Sequence, residues 1–367
     1  SIALIEGGHY GTTCARVGCM PSKLLIAPGE LRHNTEKFAD FGLQGKIPSV
    51  DGKAVMKRVK DERDRFVGFV NEDIDSFDEK HRIQAYASFV DDHTLSLSTG
   101  GTLTADKIII ATGSRPNIPG FFEQAKDLLI TNDDVFYWDD LPKSIAVFGA
   151  GVIGLELGQA LHRLGVHTHL FGVGDAVGPL SDPEVIATSL EIFKDEFPFH
   201  SNGQVKSIER TDKGVQITFK PTPDSEEVTE TFDYLLAATG RKTNIDNIGI
   251  ENTSLELDGR GVPIYNLMSM QCGDSHIFIA GDVNGDIPLL HEAADEGRLA
   301  GENASTFPQV FKKARKTSLG VVFSDPQIAT VGMSFRALTE KLGCHFASGS
   351  VSFTGQGRSR VMLVNKG

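Results

Sequence analysis

Short, almost wholly apolar runs closed by a glycine or an acid recur along this sequence. They are Ile2-Ala-Leu-Ile-Glu6, Lys107-Ile-Ile-Ile-Ala-Thr-Gly113, Ser144-Ile-Ala-Val-Phe148, Tyr234-Leu-Leu-Ala-Ala-Thr-Gly240 and Ile277-Phe-Ile-Ala-Gly281. Continuous apolar runs of this length are the signature of strands buried on both faces. Between the third run and the strand predicted at Val166–Phe171 lie a turn at Gly149–Gly154 and an apolar helix at Val152–Leu164. That is one β-α-β unit and predicts a parallel sheet. The Ala-Thr-Gly ending at Gly240 echoes the one at Gly113, which suggests two copies of a similar unit.

Elsewhere the period changes. Ile83–Leu103 and Gln204–Phe219 alternate, with turns at Asp91-Asp92 and Gly100-Gly101 and a polar hairpin loop at Pro221–Glu227, so antiparallel strands are expected there. Asp51–Ser76 and Ser181–Phe197 carry helical periodicity, the former with an apolar stripe of Val55, Val59, Phe66, Phe69 and Val70. The last residues, Val361–Gly367, predict a strand at the edge of an unfinished sheet. The chain opens at Ser1 directly in a strand, so it is expected to be most of a longer protein. Breaks at Leu141-Pro142-Lys143 and at Lys312–Lys316 divide the α/β pattern.

Composition narrows the class. With 367 residues there is room for two or three domains, and 40% hydrophobic and 23% charged residues are ordinary for a globular protein. A net charge of −13 argues against nucleic acid, which needs a clustered basic surface. The longest apolar runs are strand-sized, so no membrane partner is expected. Four cysteines are too few for a disulfide scaffold, and a cytoplasmic location is expected.

Two motifs carry chemistry. Gly149-Ala-Gly-Val-Ile-Gly154 follows a strand and opens a helix, the context in which G-x-G-x-x-G binds a dinucleotide. Gly149 permits the turn, Gly151 lets a pyrophosphate approach, and Gly154 lets helix pack on strand. The acid expected to hold the ribose is displaced: Phe171 ends the next strand, Gly172 follows, and Asp175 is the nearest candidate. No Lys or Arg occurs from there until Lys194, which favours NAD over NADP.

The second motif is Cys14-Ala-Arg-Val-Gly-Cys19. Zinc lacks further ligands nearby, since His9 is the sole neighbour and Cys272 and Cys344 are isolated. No metal site is therefore expected. A disulfide needs a distorted turn, because a regular helix puts such Cα atoms roughly 8.5 Å apart, against a limit of about 7 Å. Gly18 and Pro21 permit that distortion, Lys23 one turn on favours a thiolate at Cys19, and two buried core cysteines remain the plainer alternative.

The stretch Gly11-Thr-Thr-Cys-Ala-Arg-Val-Gly-Cys-Met-Pro-Ser-Lys23 closely resembles the active-site motif of the pyridine nucleotide–disulfide oxidoreductases, nearest to their dihydrolipoamide dehydrogenase branch. The resemblance continues through Ala111–Pro116, Gly149–Gly158, Ala238–Arg241, Gly281-Asp282 and Asp325–Gly332, in the family's order. It implies a Cys14–Cys19 redox disulfide, with Cys14 as interchange thiol and Cys19 against a flavin, and with Lys23 near the flavin N5 and paired with Glu156. It implies FAD held by Glu6, Gly11, Thr12, Thr112, Gly113, Gly281 and Asp282, with Glu6 on the adenosine ribose and Asp282 on the ribityl chain. It implies NAD at Gly149, Gly151, Gly154, Asp175 and Gly240. His291 lies in a matching stretch.

The implied fold is two Rossmann-like domains plus part of an α+β interface domain. FAD-binding residues would be 1–141 and 269–315, NAD-binding residues 142–268, and interface residues 316–367. The implied reaction passes electrons among a dithiol such as dihydrolipoamide, the disulfide, FAD and NAD. Mercuric ion is the alternative substrate, and a non-catalytic flavoprotein of the same fold the second class. A homodimer and association with a 2-oxo acid dehydrogenase complex are the implied partners. The family's upstream G-x-G-x-x-G and C-terminal His and Glu pair fall outside these residues, and Arg16 stands where the common pattern has asparagine.

Overall fold

The computed structural model describes residues 1–364 and 366–367. It is an α/β protein divided into two compact units. The first comprises residues 1–12, 67–115 and 241–318, and the second 13–66, 116–240 and 319–367.

In the second unit the apolar runs form the expected parallel sheet. Its five strands run in the order Phe199–His200, His167–Phe171, Ser144–Phe148, Tyr234–Ala237, Leu129–Ile130. The crossover helix Val152–Arg163 buries Leu155, Leu157 and Leu161 beside Val147 and Leu170 in one core. The alternating segment forms an antiparallel sheet of Gln204–Thr211, Gly214–Lys220 and Val228–Phe232. Its apolar face buries Ile217, Phe219 and Phe232 in a second core with Phe148 and Phe171, whose rings stack 4.7 Å apart.

The first unit pairs Leu4–Glu6 with Arg82–Gln84 and Ile108–Ile110 with Ile277–Ile279, both in parallel. A meander of Ala87–Phe89, Thr94–Leu97 and Thr102–Thr104 supplies the expected antiparallel strands.

The internal echo is structural as well. Thr112 Oγ1 donates to the Asn244 carbonyl while the Asn244 amide donates to the Gly113 carbonyl. In the second unit Thr239 Oγ1 donates to the Asn117 carbonyl, and the Asn117 amide donates to the Gly240 carbonyl. Gly113 and Gly240 have φ of 71° and 94°, a region that disfavours side chains, which is why each copy ends in glycine.

The Cys14–Cys19 segment is two helices broken at Gly18, the distortion that a disulfide there requires. Two expectations are corrected. The long helix spans Gly52–Asp75, and its buried side chains are Met56, Val59 and Arg63, whereas Phe69 is half exposed. Spacings of three and four residues make a face, and Arg63 joins it because its guanidinium donates to the Phe136 carbonyl at 2.7 Å. The C-terminal residues form no strand among those described, and Asn365 lies outside them. A helix at Gly357–Val361 takes their place, capped by the Gln356 side chain. The amides of Met362 and Val364 bond back to Arg358 and Ser359, so local hydrogen bonds substitute for a strand partner.

Candidate active site

Gly18 decides the geometry of the cysteine pair. A Cβ there would lie 3.1 Å from the Thr13 carbonyl oxygen and 3.3 Å from the Cys14 Cα. Only a residue without a side chain lets the chain close so tightly between helices Thr13–Val17 and Cys19–Asn34. The Cys14 and Cys19 Cα atoms come within 4.7 Å, and the two sulfurs are joined. The fold thus makes a disulfide of the pair, not a zinc site or two core thiols. The second helix is anchored where it starts: Ser22 N–H donates to the Gly18 carbonyl, and Asn132 Nδ2 donates to the Val17 carbonyl at 2.8 Å. Cys14 is half-buried and Cys19 exposed. Of the other thiols, Cys344 is exposed, and burial pushes the Cys272 thiol up to about 12, which leaves it inert packing.

One turn beyond Cys19, Lys23 Nζ contacts Glu156 Oε2 at 2.7 Å. Glu156 is buried on the crossover helix, and both its oxygens are used. Oε2 also accepts from Ser22 Oγ at 3.3 Å, and Oε1 accepts the Phe323 N–H at 3.0 Å. The Lys23 ammonium lies 4.4 Å from the Phe323 ring centroid. A buried carboxylate needs such partners, and here they fix the cation one turn beyond Cys19. The two helices approach closely because Gly29 faces the Ala160 carbonyl, where a Cβ would sit at 3.1 Å. Lys23 and Glu156 were legible from the sequence through the family motif, which also contains Ser22; Asn132, which holds the Val17 carbonyl, and Phe323, whose amide donates to Glu156, carried no signal of their own.

The three glycines of the Gly149–Gly154 turn differ in the space around them. A Cβ on Gly149 would be 2.3 Å from the Ala238 carbonyl oxygen, and one on Gly154 would be 1.8 Å from the Gly149 carbonyl oxygen. Gly151 has nothing within 4 Å of its Cβ position, and it caps the helix N-terminus without a side-chain hydrogen bond. Open space above the first N–H groups of a helix suits an anion. Gly151→Asn should therefore leave the melting temperature nearly unchanged, since asparagine caps helices well, while raising the KM for the pyridine nucleotide about tenfold (about 1.4 kcal/mol). Gly154→Ala should instead lower stability by roughly 1–3 kcal/mol. Thermal melts beside a pyridine nucleotide titration separate the two; a Gly151→Asn variant with unaltered KM would remove the pyrophosphate from this turn.

Phe171, which ends the strand, is buried against Phe148, and the next position, where a ribose acid is expected, is Gly172. Asp175 has its carboxylate on the Ser201 hydroxyl at 2.5 Å.

In the first unit Glu6 ends its strand, with Oε1 accepting the Gly8 N–H at 2.7 Å. A cavity of about 630 Å³ opens beside Gly7, Gly8, Gln84 and Tyr86. Gly11 and Thr12 follow with φ of 111° and 56°. Gly281 and Asp282 lie at the other end of this unit's chain order, and Asp282 accepts from Ser114 Oγ at 2.7 Å. The Arg241 guanidinium is committed to Ser114, with bonds of 2.7 and 2.6 Å to its hydroxyl and carbonyl. It is therefore not a loose cation awaiting a 2′-phosphate. His291 is exposed, 4.0 Å from Glu292.

The family model described as "Pyridine nucleotide-disulphide oxidoreductase" matches residues 1–297. A dihydrolipoyl dehydrogenase of Bacillus subtilis is 30% identical over 346 residues, spanning 90% of this chain and 72% of the relative. A mercuric reductase of Lysinibacillus sphaericus is 30% identical over 350 residues, spanning 93% of this chain and 62% of the relative. Among solved structures, the HOCl-induced flavoprotein disulfide reductase RclA from Escherichia coli superposes with a TM-score of 0.79. That structure is 21% identical in sequence and covers 100% of this chain and 79% of its own.

Proposed function

The chain belongs to the pyridine nucleotide-disulphide oxidoreductase family, and on that footing we propose that it transfers electrons from dihydrolipoamide to NAD through the Cys14–Cys19 disulfide and FAD. The observation that carries this reading is the disulfide itself, with the Lys23–Glu156 pair held one helical turn behind it.

A substrate thiolate attacks Cys14 Sγ and displaces Cys19 as thiolate. The second substrate thiol then attacks the mixed disulfide, releasing the oxidised substrate and leaving Cys14 reduced. Lys23 supplies positive charge near the Cys19 thiolate, and Glu156 fixes the lysine's position. FAD, when bound, would supply two-electron transfer between the dithiol and the nicotinamide. Glu6 would hold its adenosine ribose and Asp282 its ribityl chain, with Gly11, Thr12, Thr112, Gly113 and Gly281 lending backbone that can approach closely. Gly151 would take the pyrophosphate of NAD at the helix N-terminus. Gly240, exposed at the end of the second Ala-Thr-Gly, would border that nucleotide. The absence of Lys or Arg between Phe171 and Leu180 favours NAD over NADP. The protein would act as a homodimer, with a 2-oxo acid dehydrogenase complex as the larger assembly.

The test is steady-state turnover of the full chain with NADH or NADPH against lipoamide, other disulfides and mercuric ion. We expect lipoamide to lead, and NADH to exceed NADPH in kcat/KM by about tenfold or more, the worth of one lost favourable contact. Mercuric ion leading the panel would move the protein to the mercuric reductase branch, and preference for NADPH would sink the cofactor assignment.

A further inference from the structure

We propose that His167, His169 and Glu230 form a binding site for one late first-row divalent cation of the zinc and copper class. The site lies on the face of the parallel sheet covered by the antiparallel sheet, all within the second unit.

His167 and His169 stand two residues apart on the strand His167–Phe171, so their side chains leave the same face. Glu230 reaches them from the antiparallel strand Val228–Phe232. His167 Nε2 lies 2.5 Å from Glu230 Oε1, and His169 Nε2 lies 3.5 Å from Glu230 Oε2. One donor atom from each residue falls within 4.8 Å of the other two. A tetrahedral ion with bonds of about 2.0–2.1 Å holds its ligand atoms about 3.3 Å apart, so small side-chain rotations close this set around a cation. Two imidazoles and one carboxylate suit zinc, copper or nickel rather than calcium or magnesium, which prefer all-oxygen shells.

The surroundings are those of a built site. His169 is 11% exposed, and its other nitrogen, Nδ1, meets His200 Nε2 at 3.1 Å. Metal-bound histidines characteristically use their second nitrogen this way, which fixes tautomer and ring orientation. Phe171, Phe219 and Phe232 wall the histidines, with Phe232 5.3 Å from the His169 ring. His167 is 54% exposed at the rim and leaves a route in from solvent. An ion here would tie the antiparallel sheet to the parallel strand it covers.

The experiment uses the FAD-loaded full chain, stripped with EDTA and desalted. It is kept oxidised so that Cys14 and Cys19 stay in their disulfide, and Cys344 is alkylated. Titration with zinc chloride by calorimetry should show one ion per chain and a raised melting temperature, because a ligand bound only by the folded state stabilises it. His167→Gln and Glu230→Gln, both at accessible positions, should each weaken zinc at least about tenfold (about 1.4 kcal/mol). Bound copper(II) should show hyperfine coupling to imidazole nitrogen in its EPR spectrum, reduced by His167→Gln. The proposal is overturned if the protein takes up no zinc, or if both variants bind it as tightly as the parent.

Discussion

Replacing Cys14 with serine in the full chain should abolish lipoamide-linked turnover, lowering it by at least about 10³-fold, or about 4 kcal/mol of barrier, while the protein stays folded and flavinated. The size follows from the chemistry, because a serine hydroxyl cannot form the mixed disulfide through which electrons enter. The stability cost is much smaller. The bond closes a loop of only five residues in sequence separation, and in the chain-entropy account such a short loop is worth about 2 kcal/mol. A melting curve therefore tells lost chemistry from lost fold.

The two cysteines are not equivalent, since Cys14 is half-buried beside the helix break and Cys19 is exposed one turn before Lys23. Cys14→Ser should leave a Cys19 thiolate whose long-wavelength absorbance beside the flavin is retained or enhanced, and Cys19→Ser should lose that absorbance along with turnover. A Cys19→Ser enzyme that still turned over lipoamide would reverse the assignment of the pair.

The parts that could be read from the sequence are those where one residue type is forced by backbone geometry. Gly149 and Gly154 have no room for a Cβ and Gly151 must leave its side open, so the spacing itself carries the information. The same holds for the two Ala-Thr-Gly strand ends and for the cysteines on either side of Gly18. Pairings between distant segments were hidden. Nothing in the sequence around Phe323 says that its amide will cap Glu156, and nothing around Asn132 says that it will hold the Val17 carbonyl. His-Thr-His at 167–169 has the two-residue period that puts both rings on one strand face, but two ligands alone do not make a metal motif. Its third member, Glu230, is 61 residues farther along and comes near only through the antiparallel sheet. At the C-terminus the apolar run suggests a strand, whereas the Gln356 cap and the local amide bonds make a helix and a turn.

The largest expected loss of stability comes from Arg163, whose guanidinium is 4% exposed and sits between two acids. Nε and Nη2 reach the Glu196 oxygens at 2.5 and 3.0 Å, and Nη2 also reaches Asp325 Oδ2 at 2.9 Å. Gln159 completes the cluster, donating to Glu196 and to the Asp325 carbonyl while accepting the Asp325 amide. Lys366 adds a second cation 3.4 Å from Asp325. Burial alone would raise both carboxyls; the Arg163 hydrogen bond and charge outweigh it at Glu196, and Lys366 together with Arg163 does so at Asp325. Both acids are thus held below their ordinary values.

Arg163→Ala leaves Glu196 in poor solvent without its main partner and Asp325 with Lys366 alone, and should cost roughly 3–5 kcal/mol, the usual penalty for breaking a buried pair from one side. The sign with pH follows. In the parent, each depressed carboxyl contributes stability that is full above its unfolded pKa of about 4 and is lost as pH falls through the folded value. In the variant the same carboxyls, still buried, shift upward and take up protons on acidification, which relieves their penalty. The gap between parent and variant should therefore be widest near neutral pH and shrink toward pH 4 in urea melts taken across that range. A gap that stayed constant with pH would mean that Arg163 acts by packing alone and that its charge does not hold the two acids.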